Sequence, residues 1–314
     1  IGASLLWYGQ NYLIYPSAFP PGSRTEVPKP TDFGIPYQDL ELKTSDGIRL
    51  RCYLLPQSRS LSPPEATPVR DDAATDDEVS QYLHCCVGGL PCLQFISSRP
   101  TVVMFHGNGG NHGHRIPIAK IFFMKMRCNV LMMSYRGYGL SEGSPSEKGF
   151  RIDAQAALDY VSSDPIFKQT TIILYGQSIG GAVSIDLASR NPTKINALIL
   201  ENTFTSLPDV IPHALPLLGP FSFLCHQKWD SVSKIPLIPA TTPILMLSGL
   251  KDELVPKDHM RTLWEAVGLE RAKYMEFENG GHNDTCVQTG YWPAVAEFIA
   301  SLDTPLTREK TNLQ

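Results

Sequence analysis

The chain has 314 residues, of which 42% are hydrophobic and 18% charged. That balance excludes an intrinsically disordered chain, which combines low hydrophobicity with high net charge. The 27 Lys and Arg against 31 Asp and Glu leave a net charge of −4, which gives no electrostatic footing for nucleic acid. Seven cysteines without a CxxC pair are too sparse for a disulfide scaffold and argue against a zinc or thioredoxin-type site, so neither metal nor cofactor is expected.

Residues 1–36 read as a lead-in. The start, IGASLLWYGQNYLIYP, is mildly apolar but carries Gln10 and Asn11, and no run of about 18 apolar residues is present to span a membrane. From the residues alone it reads as a first helix packing on the domain. Pro16, Pro20, Pro21, Pro28, Pro30 and Pro36 then impose an irregular path. Residues 37–44 and 48–56 are predicted as two strands around the turn Ser45-Asp46-Gly47, since Asp-Gly marks a hairpin. Residues 57–99 change composition, with an acidic cluster at Asp71, Asp72, Asp76, Asp77 and Glu78. They read as a disordered insertion, because so long a loop inside a domain is uncommon.

A regular alternation follows. Strands are predicted at 101–105, 129–135, 171–176, 195–202, 243–249 and 273–277. Helices are predicted at 113–126, 147–163, 179–190, 257–267 and 288–302. The helix over 147–163 is read from Phe150, Ala154, Ala157, Leu158 and Val161, which share one face. Residues 203–240 are Pro-rich and read as a short irregular cap, and 303–314 as a tail. Continuous apolar strands alternating with helices imply a mostly parallel sheet covered on both faces.

The chemistry concentrates at the ends of these strands. Gly176-Gln177-Ser178-Ile179-Gly180 is a G-x-S-x-G match between a predicted strand and a predicted helix. In that context the serine of a nucleophile elbow sits on a sharp, strained turn, and neighbouring glycines let strand and helix approach. The competing interpretation is a tight turn with Ser178 as the helix N-cap. A serine hydroxyl is a weak nucleophile and needs a base. Of eight histidines, His282 in ENGGHNDT follows the last predicted strand, whereas His259 falls inside a predicted helix and reads as solvated surface. The acid must then lie between them in sequence. Asp252 in SGLKDELVP follows a strand and fits, with Glu253 and Glu201 as rivals. For Glu201 the alternative is a buried carboxylate hydrogen-bonded to backbone. The loop His106-Gly107-Asn108-Gly109-Gly110 is read as supplying one oxyanion donor from the backbone N–H of Asn108, with Ile179 supplying the other. His106 then holds the loop, and Arg136 in SYRGYGLSEG reads as a member of an ion pair, with binding of an acidic group as the alternative.

Together HGNGGN, SYRGYGLSEG, GQSIGG, ENTFTS, DELVP and GGHND make residues 37–56 and 100–302 resemble an α/β-hydrolase fold serine hydrolase. The resemblance is to alpha/beta-hydrolase domain-containing proteins of types thirteen and seventeen, with the fungal bud-emergence-type relatives nearest. It implies an α/β-hydrolase fold over 37–302 and a triad of Ser178, Asp252 and His282. It further implies hydrolysis of carboxylic esters or thioesters of a small-molecule or lipid-acyl substrate, with palmitoylated proteins a narrower expectation. Type seventeen members remove fatty acyl thioesters from proteins, while type thirteen members have no settled substrate. QNYLIYPS looks like the stretch after that family's membrane anchor, which implies association with an endomembrane or the plasma membrane through a preceding segment. A prolyl-oligopeptidase-like serine peptidase and a catalytically silent interaction module are the competing expectations.

Overall fold

A computed structural model describes residues 9–58, 90–268 and 271–302. It is an α/β fold in which strands β1 (Gln38–Lys43), β2 (Arg49–Leu55), β3 (Thr101–Phe105), β4 (Asn129–Met133), β5 (Ile172–Gln177), β6 (Ala197–Glu201), β7 (Ile244–Gly249) and β8 (Ala272–Phe277) run in the order β1-β2-β4-β3-β5-β6-β7-β8 in a mixed, mostly parallel sheet flanked by helices. Two compact units divide the chain, one spanning 11–173 and the other running from 174 onward together with, among the described residues, Gly9 and Gln10.

In the first unit, β1 (Gln38–Lys43) and β2 (Arg49–Leu55) form the expected antiparallel hairpin, with Gln38 opposite Leu54 and Lys43 opposite Arg49. Its turn is held by side chains as well as backbone. Thr44 Oγ1 donates to Asp46 Oδ1 at 2.6 Å and accepts Ile48 N–H at 2.9 Å, and Gly47 takes φ +87°. Next come α1 (Leu90–Ser97), β3 (Thr101–Phe105), α2 (Ile116–Met124), β4 (Asn129–Met133) and α3 (Glu147–Ser163). β3 and β4 pair in parallel and every residue of both is buried, which explains why they read as unbroken apolar runs. Ser146 caps α3 by accepting the Gly149 N–H at 3.0 Å, and the five residues predicted to share its apolar face are all buried. Arg136 joins Asp153 at 2.8 Å and Asp46 at 2.7 Å, so it is the ion-pair member expected.

The stretch 57–99 departs from its expected character at both ends. Gln57 is fully buried, its N–H bonded to Asn129 Oδ1 at 2.9 Å and its side-chain amide to Phe123 O at 2.6 Å. At the other end α1 leads into Ile96 and Arg99, whose carbonyls accept from Asn129 Nδ2 at 3.0 and 3.1 Å. A short apolar run such as LPCLQFIS is ambiguous between strand, helix and loop, so its helix is not legible beforehand. Residues 59–89, which hold the acidic cluster and Cys85 and Cys86, lie outside the described residues, as do 1–8 and 303–314.

The second unit takes in most of β5 (Ile172–Gln177), then α4 (Ile179–Arg190), β6 (Ala197–Glu201), α5 (Leu207–Ala214), α6 (Ser231–Lys234), β7 (Ile244–Gly249), α7 (Asp258–Val267), β8 (Ala272–Phe277) and α8 (Tyr291–Leu302). β6, β7 and β8 are parallel, with Leu198 opposite Ile244 and Ile244 opposite Ala272. The cap over 203–240 is more regular than its prolines imply. Ser206 caps α5 by accepting Asp209 N–H, and Pro208 falls in the first turn, where no backbone donor is required.

Membrane association and an endomembrane or plasma-membrane location, both expected from the resemblance, are corrected by the fold. Among the described residues no helix is long and apolar enough to cross a membrane. Residues 9–14 are helical and include the polar Gln10 and Asn11.

Candidate active site

Ser178 stands between the end of β5 and the start of α4 with φ +55° and ψ −121°, a conformation that L-residues avoid. It holds the N-cap position of α4, yet its side chain makes no capping bond. The N-cap interpretation therefore fails, and the hydroxyl is not spent on the helix. The backbone holds the turn instead: Ser178 N–H donates to Glu201 O at 2.9 Å, and Ser178 O accepts Thr203 Oγ1 at 2.7 Å. A Cβ on Gly176 would lie 2.2 Å from Gly180 O, and one on Gly181 would lie 2.5 Å from Thr203 Cβ. Only glycine permits this crossing of strand and helix.

His282 is buried in the loop after β8, and its Nδ1 lies 2.8 Å from Asp252 Oδ2. The other carboxylate oxygen of Asp252 accepts the N–H groups of Leu254 at 2.9 Å and Val255 at 2.7 Å. With both oxygens engaged and its side chain 1% exposed, the carboxylate is fixed in one orientation. It therefore selects the His282 tautomer with the proton on Nδ1, leaving Nε2 as a lone-pair site. No hydrogen bond joins Ser178 Oγ to His282 Nε2 among the described residues, and such pairs are often loose until substrate binds.

The two rivals for the acid have other partners. Glu253 Oε2 accepts the backbone N–H of His282 at 3.3 Å and does not meet the ring. Glu201 is fully buried and accepts hydrogen bonds from Tyr175 and Tyr291, each at 2.5 Å. Tyrosine hydroxyls, which the sequence did not suggest, are thus among its partners. Both phenols are pushed well above their ordinary range, first by burial and then by the neighbouring Glu201.

His259 overturns its sequence interpretation. It is buried, its Nδ1 lies 2.9 Å from Thr205 Oγ1, and burial lowers its pKa. α7 turns it against the loop after β6, a tertiary contact that helical periodicity cannot reveal.

Ile179, the first residue of α4, has an N–H with no intrahelical acceptor, as every helix start does. Asn108 belongs to the first unit. There Tyr138 OH donates to its Oδ1 at 2.9 Å, and its Nδ2 donates to Ile14 O. His106 is buried with Nδ1 2.7 Å from Gly107 O, and burial lowers its pKa to about 3. This suits a loop-holding histidine.

Two residues went unread in the sequence. Gln177 Nε2 donates to His282 O at 3.1 Å, so the residue before the serine holds the histidine loop. Asn202, directly after β6, takes φ +44° and donates to the same carbonyl at 3.3 Å. The available signal was an asparagine immediately past a strand end, where a left-handed backbone favours that residue.

Comparison with known proteins identifies the family and the fold. A family model described as alpha/beta hydrolase fold matches residues 100–221. Protein bem46 of Schizosaccharomyces pombe is 43% identical over 96% of this chain and 90% of its own length. The alpha/beta hydrolase domain-containing protein WAV2 of Arabidopsis thaliana is 34% identical over 99% of this chain and 94% of its own. Among solved structures, an esterase of Pyrococcus furiosus shares the fold with a TM-score of 0.65 at 17% identity, covering 87% of this chain and 94% of its own. The chain belongs to the bem46-related family of alpha/beta-hydrolase fold proteins.

Proposed function

We propose that the chain is a serine hydrolase that cleaves carboxylic ester or thioester bonds through an acyl-enzyme intermediate, with Ser178 as nucleophile, His282 as base and Asp252 as the acid that orients it. The observation that carries this reading is the 2.8 Å contact between His282 Nδ1 and an Asp252 carboxylate whose other oxygen is already satisfied. Family membership and the esterase name of the Pyrococcus furiosus structure support hydrolysis in general.

In the first half-reaction Ser178 Oγ bonds to the acyl carbon as its proton passes to His282 Nε2. The resulting imidazolium is stabilised by Asp252. The oxyanion accepts the Ile179 N–H, with Asn108 N–H retained from the sequence as the second donor. Collapse breaks the bond to the alcohol or thiol, which leaves with the proton from Nε2. Water then repeats the sequence and releases the acid.

Within that class a fatty acyl group is the reading favoured. The unit that carries Ser178 also exposes Leu217, Phe221 and Phe223 on its cap, with Leu217 91% exposed. Acylated protein thioesters are the narrower form of this proposal. The test is labelling with a fluorophosphonate probe, followed by turnover of acyl esters and acyl thioesters of increasing chain length. Labelling lost in Ser178→Ala, with rates that rise with chain length, is the expected result. Labelling that persists in Ser178→Ala overturns the nucleophile.

A further inference from the structure

We infer that Asn202 is a positioning residue that locks the Asp252 loop to the His282 loop and sets their register against Ser178; the inference rests on the proposed triad. Asn202 is 1% exposed and follows β6, with its N–H bonded to Leu247 O of the neighbouring strand at 3.1 Å. Its side chain bridges the two loops. Oδ1 accepts the N–H of Gly249 at 2.8 Å, three residues before Asp252. Nδ2 donates to Gly281 O at 3.1 Å, His282 O at 3.3 Å and Thr285 Oγ1 at 3.0 Å. One N–H donor faces Oδ1 and two carbonyls face Nδ2, so the amide has a single orientation that satisfies all of them.

The loops it joins have no slack. A Cβ on Gly249 would lie 2.3 Å from Thr285 Oγ1 and 2.5 Å from Gly280 O. Lys251 N–H donates to Gly280 O at 2.9 Å. The residues on either side of Asn202 hold the serine: Glu201 O accepts Ser178 N–H and Thr203 Oγ1 donates to Ser178 O. A three-residue stretch therefore touches the backbone of all three proposed triad loops, and Asn202 supplies the side-chain bridge from acid to base. It meets none of the reacting atoms, so its effect passes through geometry. A displacement of about 1 Å in a catalytic group costs on the order of 100-fold in rate.

The left-handed backbone shapes the test. Asn202→Asp keeps the shape, the tolerated φ and the acceptor for Gly249, but loses both donors and turns a charge toward two carbonyls. Asn202→Gly keeps the backbone conformation and loses the bridge. Three quantities are read on the full chain: kcat per site counted by endpoint fluorophosphonate labelling, KM for a p-nitrophenyl ester, and the low-field proton resonance of the His282 Nδ1–H shared with Asp252. We expect kcat per labelled site to fall roughly 30- to 100-fold in both variants, KM to stay within about 3-fold, and the resonance to shift or broaden. Per-site kcat within about 2-fold of wild type, or failure of both variants to fold, overturns the inference. Ser178→Ala measured alongside separates the two readings, because full turnover there defeats the triad itself, whereas a dead Ser178→Ala with active Asn202 variants defeats only the positioning role.

Discussion

Glu253 and His282 meet through backbone, Oε2 to N–H at 3.3 Å, while Asp252, one residue earlier, reaches the ring at 2.8 Å. Adjacent carboxylates thus divide the work, one fixing the loop and the other the imidazole. Asp252→Asn is expected to reduce kcat by about 10⁴-fold, because the amide holds the wrong tautomer. Glu253→Gln keeps an oxygen acceptor for the same N–H and should stay within about 10-fold of wild type. Ester turnover by purified variants decides this. Glu201→Gln should lose stability more than rate, since its partners are Tyr175 and Tyr291.

Ser178 carries backbone strain that the proposed nucleophile role would require and stability does not. A non-glycine residue at such backbone angles costs about 1–3 kcal/mol. Because its side chain caps nothing, Ser178→Ala should abolish ester turnover while melting close to wild type. Ser178→Gly, equally inactive, should melt above Ser178→Ala because the strain is released. Differential scanning calorimetry of the pair gives the comparison, and a lower Tm for the glycine variant would contradict it.

Stability should fall in mild acid on account of two histidines of the first unit. Burial lowers both His106 and His112 to about 3, whereas an unfolded histidine titrates near 6.5. A histidine whose folded pKa lies below its unfolded value takes up a proton on unfolding. Its cost is absent above about pH 6.5 and grows as pH falls toward the folded value, at about 1.4 kcal/mol per pH unit for each group. His112 Nδ1 lies 2.6 Å from Ser134 Oγ, a neutral contact that Gln can replace. The urea midpoint of wild type should fall between about pH 7 and about pH 5, and His112→Gln should show the shallower fall.

A wholly disordered insertion over 57–99, as the composition suggests, would let a short Gly/Ser linker replace 58–98 without consequence for the domain. The structure reverses this. The replacement removes the buried Ile96, the Arg127 bond to Ser58 O at 2.8 Å and one of the carbonyls that satisfy Asn129 Nδ2. A Tm drop of more than about 5 °C is expected for 58–98. Replacing 60–88 spares all of these contacts and is expected to leave Tm and small-ester turnover near wild type.

Elements whose signals are local can be read from the residues alone. TVVMF lies between Pro100 and a glycine loop, and β3 is that segment. The five apolar residues of 147–163 share one helical face, and α3 buries them all. The turn at Ser178 was legible because glycine at 176 is a steric requirement of strand meeting helix, visible in the spelling alone. Asp252 and His282 were legible as candidates from chain order, since each follows a strand end.

Tertiary structure decided everything that depends on contacts distant in sequence. Whether Asp252 or Glu253 faces the imidazole is a matter of which carboxylate the β7 and β8 loops turn inward, and no pattern of residue types encodes it. His259 looked solvated on a helix until the loop after β6 covered it. Glu201 needed two tyrosines 26 and 90 residues away in sequence to become a buried carboxylate. The amide of Asn202 finds partners 47 to 83 residues along the chain. Sequence patterns report burial through periodicity, because periodicity follows from backbone geometry. Hydrogen-bond partners follow from where loops end in space, and that position is a property of the assembled sheet.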